Sequence, residues 1–221
     1  MRLLAVEMSN WRDDDESSAS SAADQARITV TDCCKMMRRL LELDPHGLHC
    51  TLIVMRSGPD GNAGDFFSDW VHSEPIDDRT PREGPENVIP VSRETPLAAL
   101  LARSDTRLKW REYNCFACND LTRHIDTFAC SRPDWSSYFK SIMVLPIRCV
   151  LAGRQKKTIA FLAFDSPYAG AFRGLPNIYE FIGRPAEYHD RLQNVAAFHL
   201  GAIFVDTLGT ILGPIYEQFS T

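Results

Sequence analysis

Nothing in this 221-residue chain offers a broad patch of one charge. Its 24 basic and 29 acidic residues leave a formal net charge of −5, and runs of like charge are short. They amount to Asp13-Asp14-Asp15-Glu16 and the Lys/Arg pairs at 38–39 and 156–157, so general attraction to nucleic acid or an anionic lipid surface is not expected. A disulfide framework is also missing. The seven cysteines are odd in number and irregular in spacing, which makes reduced thiols the simplest reading. Met1-Arg-Leu-Leu-Ala-Val runs into polar and acidic residues instead of a sustained apolar core with a cleavage site. No secretory leader is expected, and the chain reads as cytoplasmic. There is no G-x-S-x-G, and His124, His189 and His199 have no motif around them, so a Ser/His/Asp hydrolase lacks support. No internal repeat is present.

Long apolar runs are scarce too. Val195 to Ile215 comes nearest to a membrane span, but Asp206 lies near its middle, where a carboxylate costs roughly 2.5–3.5 kcal/mol on insertion scales. His199, three glycines and Pro214 weaken it further. A helix buried against a sheet or a partner is expected there, with no membrane.

What the chain does have is a pair of apolar ribbons between Phe139 and Ser166. Ser141-Ile-Met-Val-Leu-Pro-Ile and Thr158-Ile-Ala-Phe-Leu-Ala-Phe flank the charged, turn-like Gly153-Arg-Gln-Lys-Lys. This is the pattern of a β-hairpin near the middle of a sheet. Both ribbons are apolar on consecutive positions, so both sheet faces should be covered. At 44% hydrophobic the chain is long enough for one well-filled domain.

Residues 1–25 read as a flexible lead-in, with Ala19–Ala26 able to extend the next helix, and 26–221 as one domain. Thr31-Asp32 should cap a helix whose apolar face is Cys33, Met36, Met37, Leu40 and Leu41, stopped by Asp44-Pro45-His46-Gly47. Leu48–Met55 and Asp65–His72 read as antiparallel strands, and Ser73–Asn87 as a loop. Ser92 or Thr95 should cap a short helix starting at Pro96. Arg111–Ala117 suggests a strand, and Asn119–Pro133 an irregular segment. The loop from Pro167 to Pro185 carries Tyr168, Phe172, Tyr179 and Phe181, and its length implies that it packs over something. Glu187 to about Leu208 reads as one long helix, apolar on two faces, one of which would meet a second subunit.

This order, with Ser141–Ile147 matching S-x-hydrophobic-x-hydrophobic-P-hydrophobic and Leu162–Asp165 matching the end of G-hydrophobic-L-x-hydrophobic-D, resembles the GAF domain family over about residues 28 to 208. Asn119-Asp120-Leu121 sits where many members carry a short N-D element. Ala160 replaces a glycine common at the start of the second motif. The N-K-x-x-x-F-x-x-x-D-E signature of cyclic-nucleotide binders is absent, as is the Cys-His dipeptide of chromophore-bearing members, and no output domain is expected. The resemblance implies an α/β (α+β) fold of GAF/PAS type, a central antiparallel sheet flanked by N- and C-terminal helices. A small ligand would lie between one sheet face and a cap made of Asn114–Tyr138 plus the loop after Ser166. Phe116, Trp135 and Tyr138 would supply flat apolar surface there. Asn119, Asp120, Arg123, Ser141 and Asp165 would supply directional polar groups.

Cys115-Phe-Ala-Cys118, with His124 and Cys130 behind it, allows two further readings. One is a zinc site. The other is thiol chemistry resembling free methionine-R-sulfoxide reductase, which is built on the same fold. That enzyme's G-V-C-G element and C-x-x-x-S-R-S-E segment are missing, and only Arg123, His124 and Arg132 could lower a thiol pKa. The leading expectation is a sensory domain that binds a small molecule, names no cofactor, dimerises through its terminal helices and signals to a separate output protein. A protein-interaction module with a self-filled cleft is the third reading.

Overall fold

In the computed structural model the described residues are 16–56, 66–72, 89–90, 95, 97, 100, 113–128, 134–150 and 156–219. Six strands form one antiparallel sheet in the order β3-β2-β1-β6-β5-β4. They are β1 (His49–Arg56), β2 (Phe66–His72), β3 (Ile89–Pro90), β4 (Phe116–Cys118), β5 (Ser141–Val150) and β6 (Lys156–Ser166). The two apolar ribbons are β5 and β6, paired with Val144 opposite Ala163 and Leu145 opposite Leu162. Residues 141–147 and 159–164 are all buried, so covered ribbons follow from consecutive apolar positions. The expected turn between them, the expected loop 73–87 and most of the expected helix after Pro96 lie outside the described residues. Leu97 and Leu100 are helical and buried. The expected strand Arg111–Ala117 is instead the short β4 at Phe116–Cys118. The architecture is α+β: an antiparallel sheet with helices from both ends of the chain packed on it.

Helix α1 spans Glu16–Leu41 and α3 spans Ala196–Phe219; they pack on each other and on one sheet face. The expected N-cap at Thr31-Asp32 is corrected, because both residues lie inside α1. Helix formers between Ala19 and Ala26 carry the helix back, and Ala26, Val30, Cys33, Cys34, Met37 and Leu41 form one unbroken buried stripe. Met36 and Leu40, assigned to the buried face, are 47% and 43% exposed. Across from the stripe sits Cys50 of β1, its thiol pKa pushed well up by burial and by Cys33 beside it.

The single helix expected over Glu187–Leu208 is two. Helix α2 (Pro185–Leu192) ends at a turn through Gln193 and Asn194, and α3 then continues beyond Leu208. Leu192 and Val195, on either side of the break, are both buried. Asn194 holds the turn by donating from Nδ2 to the Asp190 carbonyl at 3.1 Å. Helix α3 is long and apolar enough to cross a membrane, yet a Cβ at Gly201 would meet Leu145 at 2.5 Å, and one at Gly209 the Arg148 carbonyl at 2.9 Å. The helix therefore lies directly on β5.

These contacts fix the faces. Met143, Leu145 and Phe164 lie against Gly201. By strand alternation, Ile142, Val144, Ala163 and Asp165 point the other way, to the face opposite α3.

Candidate functional site

The cap over this second face is irregular and held by polar latches. Asn119 makes three of them to the strap that follows β6. Its N–H donates to Asn177 Oδ1 at 2.7 Å, its Oδ1 accepts from the Phe172 N–H at 3.0 Å, and its carbonyl accepts from the Gly170 N–H at 2.6 Å. Tyr113 donates its hydroxyl to the Phe181 carbonyl at 2.6 Å, and Tyr188 to the Cys115 carbonyl at 3.2 Å. Short polar bonds of this kind are how irregular backbone satisfies itself when covered.

Two of the aromatic residues expected to offer a ligand flat surface in the cap pack against other rings instead. Phe116 packs on Phe128 and Tyr179, with ring centroids 6.1 and 6.0 Å apart, and Trp135 packs on Phe128 at 4.8 Å and on Phe139 at 5.6 Å. Phe116 and Trp135 are buried within this cluster. Tyr138 is half-buried at the end of a one-turn 3₁₀ helix, where its N–H closes the turn on the Trp135 carbonyl. Ser141 is buried and donates to the Tyr168 carbonyl at 2.8 Å. Asp165 is half-buried on β6, in register with His49 of β1 and Ile142 of β5.

Asn119, Asp120 and Arg123, by contrast, come together on an open groove of about 390 Å³, opposite Ala169, Gly170, Leu175, Pro176, Asn177 and Glu180. Asp120 caps the 3₁₀ turn Leu121–His124 through the Thr122 N–H at 3.1 Å and pairs with Arg123 Nε at 3.0 Å. Because Nε makes that pair, the terminal nitrogens of Arg123 stay at the mouth, on a side chain 73% exposed. Across the groove Asn177 Nδ2 donates to Glu180 Oε1 at 3.1 Å. The groove thus offers carboxylates and a guanidinium around a patch of Leu175 and Pro176.

The strap's polar residues Asn177 and Glu180 are not among the expected site residues, since only its aromatics stand out in the sequence. A usable signal is present: Asn177 follows Pro176 and precedes Ile178-Tyr-Glu-Phe, a turn start three residues ahead of an acid. Gly170, Gly174 and Gly183 all have positive φ, which is how the strap bends back so sharply.

The cysteine motif sits on β4 and the residue before it. Residues three apart on extended chain point to opposite faces, so Cys115 and Cys118 do not converge. Both are buried. Burial pushes the Cys118 thiol up to about 12 and Cys115 higher still. Neither is poised as a free nucleophilic thiolate. Cys130, the remaining member of the motif, lies outside the described residues, and His124 stacks on Tyr179 with centroids 4.2 Å apart. Among the described residues, no three His, Cys, Asp or Glu side chains are arranged to hold a metal.

No protein-family model and no curated protein matches this chain. Among solved structures it is similar to the type II free methionine-R-sulfoxide reductase from Thermoplasma acidophilum. The identity is 12% and the TM-score 0.46, over 87% of this chain and 96% of that one.

Proposed function

We propose that this chain is a GAF-like regulatory domain that binds a small polar molecule in the groove between the 119–123 turn and the strap. The observation that carries it is the groove's lining. Asp120 and Glu180 lie near Arg123, whose terminal nitrogens remain available, with amides beside them and Leu175 and Pro176 as an apolar wall. A lone anion would be repelled by the carboxylates and a lone cation by the guanidinium. A small zwitterion answers both, and about 390 Å³ falls in the range of small-molecule sites. Among the described residues of the cap, the aromatic cluster of Phe116, Phe128 and Trp135 is filled, whereas the groove is open.

The test is thermal unfolding against free amino acids of differing side chain, with the matching amines and carboxylates alone as controls. A bound zwitterion at a hundredfold its dissociation constant should add about 2.7 kcal/mol of stability. Arg123→Ala should remove the shift. No shift with any amino acid, or one untouched by the substitution, would overturn the reading.

A cysteine-dependent reductase is the second reading. With Cys115 and Cys118 buried and protonated, it rests on Cys130. Reduction of a free sulfoxide that is lost in Cys130→Ser would establish it in place of the first. The sensory reading carries with it a cytoplasmic homodimer, joined through the exposed apolar residues Ile28, Met36 and Leu40 of α1 and Ile203 of α3, and a separate output protein.

A further inference from the structure

The last turn of α1 ends in an unusual way. The Leu43 N–H bonds the Arg38 carbonyl at 3.0 Å and the Glu42 N–H the Arg39 carbonyl at 3.3 Å. This is the Schellman pattern, whose left-handed position usually holds glycine. Here Glu42 occupies it with φ +56, the one non-glycine residue at positive φ among those described. An L-residue there is disfavoured, so the helix end is in a conformation that it would not favour by itself.

What holds it is the strap. Arg173 Nη2 lies 3.0 Å from Glu42 Oε2. The Tyr168 hydroxyl donates to Asp44 Oδ2 at 2.9 Å, and Gly47 is so close beneath Tyr168 that a Cβ there would sit 3.1 Å from the ring. Buried Ser166 joins the two chain segments: its hydroxyl donates to the Gly47 carbonyl at 2.6 Å and accepts from the Tyr168 N–H at 3.2 Å. The same strap, a few residues further on, forms one wall of the groove.

We propose that the strap is a mechanical link, so that occupancy of the groove is felt at the C-terminal end of α1 through Tyr168–Asp44, Arg173–Glu42 and Ser166–Gly47. This rests on the groove being the ligand site. A molecule that draws Gly170 and Asn177 toward Asn119 shifts the strap as a unit and changes how firmly Glu42 is held in its left-handed state. Coupling of this sort needs two arrangements of one element and a contiguous path to it; the helix end is the element and the strap the path.

The link can be tested without a ligand, by perturbing the groove from its own side and reading amide exchange in the full chain. Asn119→Ala removes the acceptor for the Phe172 N–H. Exchange should rise about tenfold over 170–177 and severalfold over 38–43. In a Tyr168→Phe/Arg173→Ala/Ser166→Ala background, which removes all three contacts, Asn119→Ala should still loosen 170–177, but its effect on 38–43 should vanish. If Asn119→Ala fails to fold, Asn177→Ala cuts the neighbouring latch from the strap side. A strap that loosens while 38–43 is unmoved, or a change at 38–43 that persists with the contacts cut, would overturn the link. Absence of any amino-acid thermal shift alongside the expected exchange pattern would instead sink the ligand reading and leave the link standing.

Discussion

Gly201, Gly209 and Gly213 lie along α3 where it meets β5, and a Cβ at each would press on Leu145, the Arg148 carbonyl or Cys149. Gly170, Gly174 and Gly183 in the cap have open space for 4 Å around the point where a Cβ would stand, yet all three have positive φ. One sheet face uses glycine for room and the other uses it for backbone conformation. The first face is a regular, close-packed layer of helices. The second is folded-back chain stitched by Asn119, Tyr113, Tyr188 and Ser141. A site that must respond to a ligand is better placed on the second, where individual latches such as those of Asn119 hold the chain in place of a regular ladder.

The sharpest way to break this comparison is Gly209→Ala. Its Cβ would lie 2.9 Å from a backbone oxygen of β5, which cannot swing aside. We expect a loss of about 1–3 kcal/mol, after alanine's helix preference of about 1 kcal/mol has been offset. Gly201→Ala should cost less, since the atom it meets is the far end of the Leu145 side chain. Denaturant unfolding of both variants measures the difference. Equal effects would mean that α3 can lift off the sheet more freely than its packing shows.

The same division explains what can be read from sequence. Burial on both faces at 141–147 and 159–164 is legible because consecutive apolar residues in a strand have no other explanation. The extent of α1 is not, because Thr31-Asp32 has cap chemistry, and a cap signal yields when the apolar stripe continues through it from Ala26 to Leu41. The break between α2 and α3 is hidden as well, since Gln193 and Asn194 are compatible with a helix. What closes the break is the turn's own bonding, Val195 N–H to the Leu192 carbonyl at 2.9 Å and Asn194 to the Asp190 carbonyl, which residue type does not announce. In the cap, Asn119, Asp120 and Arg123 are expected at a ligand and do meet on the groove, while Phe116 and Trp135 are expected to offer a ligand flat surface and instead pack on other rings. Residue type marks a polar turn well enough. It does not distinguish an aromatic that lines a space from one that occupies it.

A smaller effect probes the junction between the two faces. Glu42→Gly removes the left-handed penalty at the end of α1 and should raise stability by about 0.5–1 kcal/mol. It also deletes the pair with Arg173, but both partners are more than 70% exposed, and such pairs contribute about 0–1 kcal/mol. Glu42→Ala removes the pair and keeps the penalty. Comparing the two by thermal unfolding separates backbone strain from the ion pair, and a glycine variant no more stable than the alanine one would show that Glu42 is not strained.

The smallest expected effect is a pH dependence at the same junction. The Tyr168 hydroxyl, and then the His46 N–H, hold the Asp44 carboxyl below its ordinary value, and the same hydrogen bond holds Tyr168 above its own. A depressed carboxyl contributes stability that is complete above its unfolded pKa of about 3.9 and is lost as pH falls through the lower folded value. The raised phenol contributes below about pH 10 and loses that contribution as pH climbs through its folded value. Between those limits the Tyr168–Asp44 bond should be insensitive to pH. Both groups are exposed, so the effect is best read at the residue: Tyr168→Phe should move the Asp44 titration upward in a carboxyl NMR experiment, with His46 remaining as the lesser cause. Should Asp44 titrate identically in both proteins, the strap and the end of α1 are neighbours in space without being joined, and the contrast between a rigid face and a responsive one loses its connecting piece.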